Sequence, residues 1–285
     1  MSDILLEPGT LWNRVKAAKK IALASGALLS IPTECEVVEQ DEVKFLVRVL
    51  SNLVRKDASK KQEEKQKDFN PFLPYEQDLW VADISETHVC ILNKFNVVDN
   101  HLLIITRAFA EQESLLNPQD FAAMWACLTD FDGLAFYNGG KVAGASQRHK
   151  HLQIVPLPLG NIGVSVPIEP LFASAIFTDA IGFIPGLPFV HAFTWLNPDK
   201  TGMATWECYC NLLQAVGLKD GKNYNLLATR KWMLLVPRLC ECFESISVNS
   251  LGFAGALLVR NTEQLQLLQE YRPMNILKSV TVPLS

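Results

Sequence analysis

Short apolar runs, each bounded by turn-forming residues, recur through the middle and the C-terminal part of this 285-residue chain. Residues 88–92 and 101–106 are two such runs, and the segment between them is rich in Asn and Asp, which predicts a β-hairpin. A second strand–turn–strand unit is predicted over residues 224–237 and resembles the first in kind. We therefore predict an α+β fold with one curved antiparallel sheet, and the similarity of the two units suggests that the half-fold is duplicated within the chain.

Apolar residues at helical spacing predict outer helices around this sheet. These helices are expected over residues 11–28, 117–136 and 201–216. Thr10 is predicted to cap the first helix, and Asn117 with Pro118 to open the second. Two further strands are expected over residues 149–155 and 189–195.

The predicted elements divide the chain into two halves. Residues 1–160 would form an N-terminal half, and residues 161–285 a C-terminal half that completes the sheet and the substrate site. Residues 55–68 are dense in charge and are expected to form a surface loop.

Composition excludes several classes of protein. Hydrophobic residues make up 49% of the chain, enough for a substantial core, while a net charge of −4 disfavours a nucleic-acid partner. No apolar run approaches the roughly 20 residues that cross a bilayer, and the N-terminus lacks a secretory pattern, so a cytoplasmic enzyme without a membrane partner is expected. Seven cysteines favour reduced thiols, and the pairs Cys208/Cys210 and Cys240/Cys242 are unconvincing as a zinc site. No dedicated metal site is predicted.

The segment from residue 138 to residue 153 carries the chemistry. If a strand starts at His149, then His149, His151 and Gln153 share one face of it. A neutral imidazole can attack an α-phosphorus and form a phosphoramidate, which divides a difficult transfer into two displacements. A bare His-x-His pair is equally typical of a metal pair or of surface histidines.

The preceding loop makes phosphate chemistry the better interpretation. It contains Gly139, Gly140 and Gly144, followed by the donors Ser146 and Gln147. Successive backbone amides in such a turn can bind an anion. Glycines alone would also fit an ordinary tight loop, so it is the combination with the histidines that discriminates.

These residues resemble a known family. The segment 138–153, with Ser146 and the His-x-His-x-Gln motif, is similar to the active-site signature of the diadenosine tetraphosphate phosphorylases (ATP adenylyltransferases), in the histidine-triad superfamily. The similarity covers most of the chain. It extends to residues 70–74, 92–95, 100–103, Tyr224 with Asn225, and 250–255.

The resemblance implies a histidine-triad-like fold and phosphorolysis of diadenosine tetraphosphate to ATP and ADP through an adenylyl-histidine. His151 would be the nucleophile, with His149 and Gln153 as the other catalytic residues. Glutamine at position 153 favours transfer to phosphate over transfer to water. The implied substrate-binding residues are Lys56, Asn93, Lys94, Asn138, Gly144, Ala145, Ser146, Gln147 and Lys231. Small nucleotides and phosphate would be the partners of a monomer, with no tightly bound cofactor and with a divalent cation such as Mg²⁺ accompanying the polyphosphate.

Three alternatives stay open on the sequence. A histidine-triad hydrolase would form the same adduct and resolve it with water, and Gln153 speaks against it. A hexose-phosphate uridylyltransferase shares His-x-His-x-Gln, although Lys150 and Leu152 stand where that family usually has prolines. A nucleotide-sensing protein would keep the pocket and lose turnover.

Overall fold

A computed structural model describes residues 3–50, 70–218 and 223–284. The predicted surface loop 55–68, with Lys56, lies outside these ranges. One ten-stranded antiparallel sheet dominates the described structure, in the order β3-β4-β5-β7-β6-β11-β12-β10-β9-β8. Its strands are β3 (Trp80–Asp83), β4 (His88–Leu92), β5 (Leu102–Thr106), β6 (Gly133–Gly139), β7 (His151–Pro156), β8 (Ile176–Thr178), β9 (Ile181–Phe183), β10 (Ala192–Trp195), β11 (Tyr224–Ala228) and β12 (Trp232–Pro237).

The predicted duplication is visible in the connections between these strands. In each half three strands form a meander, a helix follows, and a hairpin completes the half: β3-β4-β5, α2 (Pro118–Leu128), β6-β7, and then β8-β9-β10, α3 (Gly202–Ala215), β11-β12. The halves join where β6 pairs with β11. The counterpart of the hairpin at residues 224–237 is therefore β6-β7, and not the 88–106 hairpin that it resembles in sequence.

The two faces of the sheet belong to two apolar cores. One face packs against α1 (Leu11–Ser25), α2 and α3. The other packs against the C-terminal segment and a small sheet. Those elements are β1 (Thr33–Gln40), β2 (Val43–Leu50), β13 (Cys242–Phe243), β14 (Ile246–Ser247), α4 (Ser250–Phe253), β15 (Ala256–Val259), α5 (Thr262–Tyr271) and α6 (Pro273–Ser279). The second face also carries His151, because this residue alternates with Leu152, which points into the first core.

The helix predicted over residues 117–136 is too long. It ends at Leu128, and Gly133–Gly139 forms the central strand β6, which is buried at all seven positions. A continuous apolar run fits a buried strand as well as a helix, so pairing with β7 and β11 decides the outcome. The start of this helix is as predicted: Asn117 caps it and Asp120 completes a capping box.

Smaller differences have local causes. The strand predicted from His149 begins at His151, and His149 makes only an isolated bridge to Glu111. Thr10 does not cap α1, because its hydroxyl donates to the carbonyl of Glu7. Among the described residues, no helix is long and apolar enough to cross a membrane.

Candidate active site

His151 lies at the start of β7, almost fully buried. Its Nδ1–H donates to the backbone carbonyl of His149 at 2.8 Å, which places the free lone pair on Nε2. Nε2 makes no hydrogen bond within the described part of the chain. Burial lowers the pKa of His151 to about 4, so the ring is neutral near pH 7. A neutral imidazole with a free Nε2 is a competent nucleophile.

His101, which was not predicted as a site residue, orients the side chain of Gln153. The amide of Asn93 donates to Nδ1 of His101 at 3.2 Å, and Nε2–H of His101 donates to the side-chain oxygen of Gln153 at 3.0 Å. Burial lowers the pKa of His101 to about 4, which keeps this ring neutral. The Gln153 oxygen is thus occupied, and its NH₂ group is left to donate to a ligand.

Asn138 is oriented in the same way from the other side. Its side-chain oxygen accepts from Nδ2 of Asn225 and from both the backbone amide and the hydroxyl of Ser250, at 2.7 to 2.9 Å. Its own NH₂ group has no partner in the ranges that the structure describes. Asn138 stands on the strand next to that of His151, so the amides of Gln153 and Asn138 both present donors on the same face of the sheet as His151.

Gln112 fixes the backbone of His151. Its side-chain oxygen accepts from the His151 amide at 2.8 Å, and its NH₂ group donates to the carbonyls of Asn138 and His151 at 2.9 and 3.2 Å. The side chain therefore bridges β6 and β7 at the position where their direct pairing ends.

Both ring nitrogens of His149 are hydrogen-bonded to residues other than His151. Its Nε2–H donates to the Thr106 carbonyl at 2.7 Å, and its Nδ1 accepts from Asn70 at 3.0 Å. Burial lowers its pKa as well. The ring of Phe72 contacts both His149 and His151, at 5.6 and 5.3 Å between ring centres. The His149 carbonyl accepts the hydrogen bond from Nδ1–H of His151. A catalytic role for the His149 ring stays a prediction.

The glycine loop connects β6 to His149 through a tight turn. Gly144 has φ near +89°, and a Cβ there would lie 2.8 Å from the carbonyl of Val248, so glycine is required. The amides of Gly144 and Ala145 close the turn by donating to Lys141 and Gly140. Within the described chain, the amides of Ser146 and Gln147 make no hydrogen bond, and neither do those of Lys141 and Val142, so these donors are available to the predicted anion site.

The predicted lysines have different surroundings. Lys94 forms an ion pair with Glu76, and its ammonium group lies 5.9 Å from the ring centre of Phe95. Lys231 is exposed in the turn between β11 and β12, at the opposite end of the sheet from the glycine loop. The structure does not bring it to His151, and the substrate-binding role of both lysines stays a prediction. No cluster of three His, Cys, Asp or Glu side chains suited to a metal occurs among the described residues.

Family models match both halves of the chain. The Ap4A phosphorylase N-terminal domain matches residues 1–174, which is more than half of the sequence, and the ATP adenylyltransferase C-terminal domain matches residues 185–283. The chain belongs to the Ap4A phosphorylase family.

Relatives of this Ap4A phosphorylase family member occur in Saccharomyces cerevisiae. Diadenosine 5',5'''-P1,P4-tetraphosphate phosphorylase 2 is 29% identical over 268 residues, 81% of each chain. Protein APA1 is 26% identical over 292 residues, 90% of this chain and 88% of the relative. A crystal structure of yeast Ap4A phosphorylase Apa2 in complex with Ap4A superposes with a TM-score of 0.82 at 25% identity, covering 99% of both chains. The predicted family and the predicted α+β fold are confirmed.

Several residues of this Ap4A phosphorylase site escaped the sequence reasoning. His101 stood inside a segment similar to the family, yet no local pattern linked it to Gln153, which lies 52 positions away. Gln112, Asn225 and Ser250 likewise reach the site only through the fold. One chemical rule could have found them. A histidine or asparagine side chain that is buried in an apolar strand needs a hydrogen-bond partner.

Proposed function

We propose that this chain phosphorolyses diadenosine tetraphosphate to ATP and ADP through an AMP group carried on His151. The observation that carries the proposal is the bond from Nδ1–H of His151 to the His149 carbonyl, which leaves Nε2 free in a ring kept neutral by burial. The names of the yeast relatives and the Ap4A bound to Apa2 support the choice of substrate.

In the first displacement, Nε2 of His151 attacks an α-phosphorus of the dinucleotide. The N–P bond forms as the bond between that phosphorus and its bridging oxygen breaks, and ATP leaves with the electron pair. The ring becomes positively charged and keeps its Nδ1 proton, which the His149 carbonyl stabilises. No proton transfer to the leaving group is required.

In the second displacement, an oxygen of inorganic phosphate attacks the same phosphorus. The P–N bond breaks, its electrons return to Nε2, and ADP is released. The NH₂ groups of Gln153 and Asn138 donate to phosphoryl oxygens in both steps. An amide cannot act as a general base, so Gln153 leaves water poorly activated and phosphate the favoured acceptor.

The proposed function also includes a divalent cation, a cellular location and an oligomeric state. A divalent cation such as Mg²⁺ would accompany the polyphosphate as part of the substrate complex. We propose a cytoplasmic monomer whose partners are nucleotides and phosphate rather than a nucleic acid.

Product analysis tests the reaction. The protein is incubated with diadenosine tetraphosphate with and without phosphate, and the nucleotides are separated. ATP and ADP, formed only with phosphate, are expected; AMP and ATP would indicate a hydrolase, and absence of turnover a binding protein. Base quenching should trap AMP on His151, because phosphoramidates are labile in acid. His151→Ala should retain no more than a few per cent of turnover, and AMP located elsewhere would reassign the nucleophile.

A further inference from the structure

A buried arginine lies behind the glycine loop. Arg238 follows β12, is 3% exposed, and directs every hydrogen bond of its guanidinium group to a carbonyl oxygen. The acceptors are the Val280, Val248, Cys240 and Glu241 backbone carbonyls and the side-chain oxygen of Asn225, at 2.5 to 3.2 Å.

Among residues 3–50, 70–218 and 223–284, no carboxylate forms an ion pair with this cation, and the Glu241 carboxylate acts on it only from a longer distance. Burial lowers the pKa of Arg238 to about 10, and a group with this pKa remains protonated at pH 7. The nearby Glu241 carboxylate accepts from the hydroxyl of Ser247 instead. An unpaired buried charge is costly to maintain unless something compensates it.

One residue, Asn225, connects Arg238 to the predicted phosphate site. Asn225, fully buried, accepts from Nη1 of Arg238 at 2.5 Å. Its own NH₂ group donates to the side-chain oxygen of Asn138 and to the carbonyl of Ala143, both at 2.9 Å. Nη1 itself lies 3.5 Å from the Ala143 carbonyl. Arg238 thereby fixes the amide orientation of Asn225, and through it both Asn138 and the glycine loop.

We propose that Arg238 is the positioning residue of the polyphosphate site. Through Asn225 it turns the Asn138 NH₂ group toward the ligand and holds the glycine loop at Ala143, and its positive charge, which has no ion-pair partner among the described residues, attracts the phosphate groups bound there. Placing those phosphates at the loop rests on the proposed function; the orientation of Asn138 is read from the structure.

Competition binding tests this role without turnover. A fluorescent ATP analogue is displaced by inorganic tripolyphosphate or by adenosine, and inhibition constants are compared for wild type, Arg238→Met, Arg238→Lys and the control Lys278→Met, which removes an exposed cation from α6. Arg238→Met should weaken tripolyphosphate about tenfold, as expected for a lost charged hydrogen bond, and leave adenosine unchanged. Arg238→Lys should recover part of the loss because it keeps the charge.

Equal weakening of both competitors, unchanged tripolyphosphate binding, or failure of tripolyphosphate to compete in wild type would overturn the proposal. If Arg238→Met does not fold, Arg238→Gln gives the second test, because its amide can still donate to a neighbouring carbonyl while the positive charge is lost and Asn225 stays intact. The same selective loss of tripolyphosphate binding is then expected. Wild-type protein that shows this pattern but no phosphorolysis would refute the proposed function and leave the role of Arg238 intact.

Discussion

Backbone carbonyls and amide side chains decide which nitrogen of each histidine is free in this site. Nδ1–H of His151 donates to a carbonyl and leaves Nε2 free, whereas Nε2–H of His149 donates to the Thr106 carbonyl. His101 gives its Nε2 proton to Gln153. Three chemically identical rings therefore have three different tasks, and their neighbours assign them.

Burial of neutral histidines predicts a pH dependence of stability. The pKa of His151 and of His101 lies near 4 in the folded chain, below the ordinary 6.5, because burial disfavours the charged ring. The unfolded chain therefore binds more protons between these values, and stability present above pH 6.5 is lost as the pH falls toward 4, by about 3 kcal/mol for each ring. Urea unfolding at pH 7.5, 5.5 and 4.5 measures this loss. Equal unfolding free energies at pH 7.5 and 4.5 would contradict it.

Replacing Gln153 with histidine should change the molecule that accepts the AMP group. A histidine at this position supplies a base for water, so Gln153→His should raise the share of AMP relative to ADP at fixed phosphate, even as total turnover falls. Gln153→Ala is the matched control, since it removes the amide without adding a base and should lower turnover at an unchanged ratio. The product ratio from chromatography decides, and identical ratios in all three proteins would place acceptor choice elsewhere, such as in the loop containing Ser146 and Gln147.

At the scale of elements, the end of the β6–β7 ladder shapes the site. Direct pairing of these strands stops at Phe136 and Gln153, and the Gln112 side chain continues it. Past this point the Asn138 side chain bonds to Asn225, while the backbone amide and carbonyl of His151 bond to the Gln112 side chain. A strand end that is bridged by a side chain thus positions both His151 and Asn138.

Replacing Gln112 should therefore affect stability and turnover together. Gln112→Met leaves the amide and carbonyl of His151 unpaired in a buried place, which should lower the unfolding free energy by about 2 to 4 kcal/mol. Gln112→Glu should also reduce both quantities, because a carboxylate cannot donate to the two carbonyls. The control is Gln269→Met on the exposed side of α5, with neither quantity changed. Wild-type turnover in Gln112→Met would show that this bridge does not position His151.

At the scale of the whole molecule, the duplicated halves have diverged in chemistry. In the first half, Gln153 lies between Leu103 and Phe136; at the equivalent point of the second half, Leu234 lies between Phe193 and Leu227. The counterpart of His151 is Trp232, buried with its indole N–H bonded to Glu169. Leu234 and Trp232 thus stand where the first half carries Gln153 and His151, so the described part of the second half does not repeat this set of polar side chains.

The second half nevertheless completes the first. Asn225 and Ser250 orient Asn138, and β11 covers the edge of β6. We therefore expect a fragment of residues 1–160 to show neither cooperative unfolding nor adenylylation of His151, and co-expression with residues 161–285 to restore both. Calorimetry and base-stable labelling by AMP are the measurements. A fragment 1–160 that folds and becomes labelled would establish the predicted division as two independent domains.

Local features of the sequence determined much of this protein. Alternation placed His151 and Gln153 on one strand face, turn residues marked the 88–106 hairpin, and Asn117 with Pro118 marked a helix start, because each depends only on neighbours a few positions away. The family similarity of residues 138–153 added the reaction. These predictions needed no knowledge of how the chain packs.

Tertiary structure alone decided the rest. Residues 133–137 carry no polar side chain that distinguishes a strand from a helix, so only their place between β7 and β11 made them a strand rather than the end of a helix. The fold also brings together atoms from distant segments. These contacts pair Gln153 with His101 and connect Arg238, through Asn225, to the glycine loop. A hydrogen bond forms between groups that are near in space, and a single sequence specifies their types but not their distances.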